Sequence, residues 1–149
     1  MIVAIDFGIT NTDVALSNKS QYKFFSIPSK NANESFIDEI ISLVDIDITE
    51  ISQIVVTGGK SNELNESFKG VNLTKISETD AIGYGTKEIY KIENEPFITL
   101  SCGTGTACIH HQDGQFSYIG GIAVGGGTIS GLSKAILDSS SLEEITDLA

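Results

Sequence analysis

The chain has 149 residues, enough for one ordinary domain and one core, and its 40% hydrophobic and 19% charged composition is globular rather than disordered. Twenty Asp+Glu against nine Lys+Arg give a formal charge of −11, which repels nucleic acid and anionic membranes and argues against both as partners. No apolar run approaches membrane-spanning length and Met1 leads straight into a short strand rather than a signal peptide, so a cytoplasmic location is expected.

Ile2 to Asp6 is a compact apolar run that ends in a carboxylate. Strands resume over Val14 to Ser17 and over Tyr22 to Ile27, before Pro28, so the opening reads as an antiparallel meander. The Gly8 to Thr12 turn between the first two strands is a candidate phosphate loop. Glycine lets backbone approach an anion, and Thr10 and Thr12 add hydroxyls. Asp6, just before it, would hold Mg²⁺ through its hydration shell, because Mg²⁺ prefers one or two carboxylates plus waters and phosphates. A plain hairpin with an Asx-type turn fits the same residues.

Asn33 is placed to cap a helix over Glu34 to Val44, with Phe36, Ile37, Ile40, Ile41 and Val44 forming its core stripe. A buried strand is expected over Ile51 to Thr57, closed by Gly58-Gly59, then a short polar helix over Asn62 to Phe68 and a strand over Val71 to Ile76. Ser77-Glu78-Thr79-Asp80 sits at that strand's end, and a helix follows over Ala81 to Ile92, weakened by Gly83 and Gly85. The polar stretch Glu93-Asn94-Glu95-Pro96 marks the expected domain boundary, giving domains over residues 1–93 and 96–149. After a further strand over Phe97 to Leu100, Ser139 to Ser141 reads as a polar joint and Leu142 to Ala149 as the start of another helix.

The stretch from Ile98 to Leu132 holds two more glycine-rich turns. Cys102-Gly103-Thr104-Gly105-Thr106 follows an apolar run, and Gly120 to Thr128 leads into a helix. A helix start adds unpaired N–H groups and the positive end of its dipole, which suit phosphate. One such turn reads as a hairpin marker; two, with Thr104, Thr106 and Thr128 in them, point to a phosphate cradle. Gly121-x-x-x-x-Gly126-Gly127-Thr128 imitates a Walker A motif but has glycine where that motif needs lysine, which excludes a P-loop. Cys102 and Cys108 fit no zinc spacing and are expected to be small buried residues. His110-His111 is expected at an exposed hairpin edge.

The Gly/Thr turns that open two successive β-hairpin units resemble those of the actin, sugar-kinase and Hsp70-like ATPases. More specifically, IVAIDFGITNTDVAL, VVTGGKS, ISETDAIGYG, SCGTGTACIHHQDG and IGGIAVGGGTISGLSKAIL, in that order, resemble type II pantothenate kinases along nearly the whole chain. The resemblance implies an α/β, ribonuclease H-like (actin-like ATPase) fold and ATP-dependent phosphorylation of pantothenate, the first step of coenzyme A biosynthesis. It further implies ATP and Mg²⁺ as cofactors, a homodimer as a possible assembly, and a chain that corresponds to only part of such a kinase.

Residue by residue, the resemblance makes Glu78 the general base and Asp6 the Mg²⁺ carboxylate. It assigns Gly8, Thr10, Asn11 and Thr12 to the first phosphate loop and Gly103, Thr104, Gly105 and Thr106 to the second. Gly125, Gly126, Gly127 and Thr128 would present amides to the nucleotide. Tyr118 stands where the family usually carries an arginine for a substrate carboxylate, and a phenol cannot make that bidentate contact. Beside pantothenate, an acceptor uncharged at that end, such as pantetheine, or another molecule entirely is therefore also expected. Asp13 stands where these kinases often carry a lysine. The alternative reading is a nucleotide-binding activator ATPase of the same superfamily that needs no acceptor.

Overall fold

The computed structural model describes residues 1–18, 21–138 and 142–147. The chain forms two compact units, Met1–Ala81 and Ile82–Ala149. The expected boundary at Glu93–Pro96 lies between the two sheets, whereas the division into units falls earlier, within a helix.

In the first unit, β1 (Ile2–Phe7), β2 (Asn11–Asn18) and β3 (Gln21–Pro28) form the expected antiparallel meander. α1 (Glu34–Leu43) follows, then β4 (Gln53–Thr57), β5 (Ser67–Phe68) and β6 (Val71–Lys75), giving a sheet of order β3-β2-β1-β4-β6-β5. β4 lies parallel to both β1 and β6. Alternation along β1 turns Val3, Ile5 and Phe7 into the core, where α1 contributes Phe36, Ile37, Ile40 and Ile41. Each such side chain contributes about 1.5–3 kcal/mol when fully buried, so this stripe is what fixes α1 to the unit. The Asn33 side chain caps α1 as expected, its Oδ1 accepting from the Phe36 amide at 2.9 Å.

The polar helix expected over Asn62 to Phe68 is absent. A short 3-10 turn covers Ser61–Glu63, and Ser67–Phe68 instead pairs with β6 as a tight hairpin. Lys69 and Gly70 form its two-residue turn with φ of 47° and 82°, the pair of positive φ angles that such hairpins require. Phe68 is buried to 2% exposure by this pairing, an apolar gain that an isolated polar turn of helix cannot offer.

α2 (Glu78–Tyr90) begins three residues earlier than expected, so Glu78 is its first residue rather than a strand-end residue. The cause is local: the Asp80 amide donates to Ser77 Oγ at 3.0 Å and the Ser77 hydroxyl donates to the Asp80 carboxylate at 2.7 Å, a reciprocal cap.

In the second unit, β7 (Phe97–Cys102), β8 (Thr106–Gln112) and β9 (Gln115–Ile122) form an antiparallel sheet with β8 in the middle. α3 (Gly126–Leu137) and α4 (Leu142–Asp147) follow. The Ser139–Ser141 joint and the last residues of the final helix, 148–149, lie outside the described residues. The central position of β8 overturns the expected exposed edge at His110-His111. His111 is 1% exposed, stacked on Phe97 at 4.8 Å and packed on Phe116 at 5.0 Å, with Nδ1 3.1 Å from the Glu95 carbonyl. The cysteines are also less enclosed than expected: Cys102 is exposed and Cys108 half-buried, because Cys102 ends its strand at a glycine loop.

Candidate functional site

In the first unit the candidate residues gather at the carboxyl end of β1, where an α/β sheet commonly receives ligands. Asp6 is flanked across the sheet by Asp13 on β2 and Thr57 on β4. Burial, then the negative charges of Glu78 and Asp13, push the Asp6 carboxyl above its usual range. The four ion pairs found among the described residues all lie elsewhere. Like charges set directly opposite each other destabilise a strand pair, so this end of the sheet is arranged to receive positive charge.

Two further observations fit a divalent cation with its waters. The Thr57 hydroxyl is buried without a hydrogen-bond partner. Gly58 lies so close to Asp6 that a Cβ there would stand 2.9 Å from Oδ1, so the carboxylate overlies bare backbone. Among the described residues no group of three or more His, Cys, Asp or Glu side chains is placed to cage a metal. Mg²⁺ needs no such cage, since it retains several waters and takes one or two carboxylates plus phosphate oxygens.

Gly8, Ile9 and Thr10 form the turn after β1, with Ile9 and Thr10 exposed, and Asn11 already starts β2. Thr12 is different. It is fully buried, and its hydroxyl lies 3.3 Å from that of Ser29, so it packs beneath the turn rather than opening onto it. Ser29 is a residue that the sequence did not single out. Its hydroxyl donates to the Gly8 carbonyl at 2.5 Å, its amide donates to the Thr10 carbonyl at 3.0 Å, and Lys60 Nζ reaches its Oγ at 3.3 Å. The available signal for Lys60 was the Gly58-Gly59-Lys60 run directly after a buried strand.

The second unit carries the other glycine turns, and these pack against each other through bare backbone. A Cβ on Gly125 would lie 2.5 Å from the Gly105 carbonyl oxygen and 2.7 Å from that of Gly103. The Gly103 amide donates to the Gly105 carbonyl at 2.8 Å, which closes the Gly103–Thr106 turn. The hydroxyls of two threonines tie the turns together: Thr106 donates to the Val124 carbonyl at 2.8 Å, and Thr128 lies 2.7 Å from the Ala123 carbonyl and 3.2 Å from that of Thr104. A hydroxyl that donates to a carbonyl has no proton left for a phosphate. Donors for an anion therefore come from backbone amides. α3 starts at Gly126 with no side-chain cap; the Gly127 amide makes only a long 3.5 Å bond to the Gly103 carbonyl, so the helix start and the positive end of its dipole can still face an anion.

Tyr118 is 60% exposed on β9, followed by a bulge in which Ile119 is passed over between the pairs Ile109↔Tyr118 and Cys108↔Gly120. Its ring folds back along the strand, so that a Cβ on Gly121 would meet the phenolic oxygen. The structure thus brings Asp6, Gly8, Thr10 and Glu78 to one end of the first unit. It brings Gly103–Thr106 and Gly125–Thr128 together in the second.

No family model matches the sequence. Over 98% of its length the chain is 32% identical to a type II pantothenate kinase of Bacillus anthracis, covering 52% of that protein. It is 33% identical over 98% of its length to one from Bacillus cereus, covering 53%, and 28% identical over its full length to one from Staphylococcus aureus, covering 54%. The chain spans about half the length of the curated relatives it matches. Among solved structures, an activator of 2-hydroxyisocaproyl-CoA dehydratase from Clostridium difficile with bound ADPNP matches 92% of the chain, with a TM-score of 0.64 at 16% identity, over 52% of its own length. A Streptomyces griseus glucokinase of the ROK family, in complex with glucose and AMPPNP, matches 92% with a TM-score of 0.61 at 11% identity, over 62% of its length. The fold is thus the ribonuclease H-like fold of actin-like ATPases and sugar kinases, and the sequence is related, along nearly its whole length, to about half of a type II pantothenate kinase.

Proposed function

We infer that the chain provides the phosphate-handling part of an ATP-dependent kinase of the type II pantothenate kinase kind, which phosphorylates pantothenate or pantetheine. The observation that carries this reading is the placing of Glu78 within electrostatic reach of Asp6 at the carboxyl end of β1. Two carboxylates at one sheet end suit two roles. Glu78, exposed at the start of α2, orients the acceptor hydroxyl and takes its proton as the oxygen bonds to the γ-phosphorus. The bond from that phosphorus to the bridging oxygen breaks, and ADP leaves with the electron pair. Asp6 is the residue that would hold Mg²⁺, which supplies neutralisation of phosphate charge when bound.

The glycine turns supply amide donors, and positioning and charge stabilisation account for most of the catalysis of phosphoryl transfer. The chain contains no arginine, so none of its residues can grip a substrate carboxylate in the bidentate manner. The acceptor carboxylate, where there is one, would then be held by groups other than an arginine of this stretch. A homodimer and a cytoplasmic setting are the expected context.

The test is transfer of γ-phosphate from ATP with pantothenate, with pantetheine and with no acceptor, using the longest natural form of the protein and Glu78→Gln as control. Transfer that depends on an acceptor and is lost in Glu78→Gln is the expected result. ATP hydrolysis indifferent to both would overturn the kinase reading in favour of an acceptor-independent activator ATPase.

A further inference from the structure

Four described lysines are neutralised by carboxylates: Lys30 by Glu39, Lys69 by Asp38, Lys91 by Glu88 and Lys134 by Asp138. Lys60 is not. Its half-buried side chain reaches only the neutral Ser29 hydroxyl, at 3.3 Å. An ammonium has three donors, and Lys60 directs one of them to a neutral hydroxyl rather than to a carboxylate.

Its location says what the charge is for. Lys60 stands on the loop after β4, and that loop abuts the end of β1: a Cβ on Gly58 would lie 2.5 Å from the Phe7 carbonyl oxygen. The same Ser29 that holds the ammonium also clasps the β1–β2 turn, through the Gly8 and Thr10 carbonyls and the buried Thr12 hydroxyl. The turn and the cation are therefore positioned by one residue. Pointing carbonyls of the turn at Ser29 draws those acceptors away from an incoming anion, and Lys60 adds positive charge beside it.

We propose that Lys60 is a phosphate-binding residue of the first loop, with Ser29 as its positioning residue, and that its ligand is the polyphosphate chain of a nucleoside triphosphate. This rests on the nucleotide reading above. A lysine here acts as a point charge on a flexible stem, brought by a different strand from the one that supplies the turn. It differs in that respect from the lysine of a P-loop, which lies within the glycine run itself.

The experiment follows the melting temperature of the full chain during titration with ATP and with inorganic tripolyphosphate, for the wild type and for Lys60→Met, Lys60→Arg and Ser29→Ala. Lys60→Met should raise the half-saturating concentration of both ligands at least tenfold while leaving the ligand-free melting temperature within a degree or two. Lys60→Arg should recover most of the response, and Ser29→Ala should weaken it a few-fold. Should Lys60→Met not fold, the comparison of Ser29→Ala with Lys60→Gln decides by the same criterion. Equal titrations for wild type and Lys60→Met would overturn the proposal, as would a lower ligand-free melting temperature with the ligand response intact, since that is a structural role. A wild-type chain that responds to neither ligand removes the nucleotide reading and this proposal together, whereas an unchanged Lys60→Met removes only the latter.

Discussion

Gly125 and Gly126 are neighbours in sequence, yet the structure assigns them opposite tolerances. Gly125 is buried with φ of −163°, extended backbone that any residue adopts, so its need for glycine is purely steric. An alanine Cβ would meet the Gly105 and Gly103 carbonyl oxygens at 2.5 and 2.7 Å, where ordinary C···O contacts begin near roughly 3.3 Å. Both obstacles are backbone, and the Gly103 amide bond to Gly105 fixes them, so the turns would have to part by about 0.8 Å. Overpacking of that kind costs about 1–3 kcal/mol. A Cβ on Gly126 would lie 3.5 Å from the Gly103 carbonyl oxygen, an ordinary contact, and as the first residue of α3 it gains up to about 1 kcal/mol of helix propensity as alanine. Thermal melts should place Gly125→Ala several degrees below wild type and Gly126→Ala at or slightly above it, at about 4–8 °C per kcal/mol for a small unit. Gly125→Ala should also abolish the rise in melting temperature on adding ATP. Equal melts for the two variants would refute the claim that the turns meet backbone to backbone.

A similar conflict between propensity and packing arises at Gly83, where a Cβ would stand 2.5 Å or less from the Phe116 ring. Gly83→Ala should therefore lower stability by about 1–3 kcal/mol in urea denaturation, despite its better helix propensity, and a more stable variant would contradict the packing. Asn33→Ala should cost about 1 kcal/mol by removing the α1 cap, with Asn33→Asp retaining it; a melt unchanged by both would refute the cap's contribution. Glu78→Gln should reduce phosphate transfer by about 10²–10⁴-fold while the half-saturating ATP concentration stays within about twofold, measured by single-turnover transfer and by titration. An unaffected transfer rate would remove Glu78 from the chemistry.

How much of this was legible in the sequence depends on how local the deciding interaction is. The α1 stripe, its Asn33 cap and the three-strand meander were legible because their spacing and turn residues sit within a few positions of one another. The helix expected over Asn62 to Phe68 failed for want of attention to Lys69-Gly70, a turn pair that converts its last residues to a strand. Glu78 shifted from strand end to helix start because of the Ser77–Asp80 cap, which was equally local and could have been read from S-x-x-D. His111 was not recoverable in that way. Its burial depends on β8 having strands on both sides and on Phe97 and Phe116 arriving from each of them, and no window around His110-His111 contains that information. Ser29 and Lys60 are a harder case, being thirty-one positions apart and joined by a single hydrogen bond.

The glycine turns are expected from sequence to act as phosphate loops, and the structure bears on the means assigned to them. Threonine hydroxyls were expected to face the ligand, and the structure turns Thr12 inward and donates the Thr106 hydroxyl to a backbone carbonyl. What remains open at these places are the groups a self-contained fold would have satisfied. They are the Asp6 carboxylate beside two other acids, the buried Thr57 hydroxyl without a partner, the Lys60 ammonium on a neutral hydroxyl, and the uncapped start of α3. Elsewhere the same chain caps α1 with Asn33 and neutralises four lysines with nearby acids, although His111 Nε2 on β8 is also buried without a partner. Local inconsistency of this sort concentrates where a ligand completes the structure. The unmet groups of the first unit include a carboxylate suited to a hydrated divalent cation and an ammonium suited to phosphate. A metal–nucleotide complex supplies partners for both kinds at once, whereas a neutral sugar or a bare cation would leave one kind unmet.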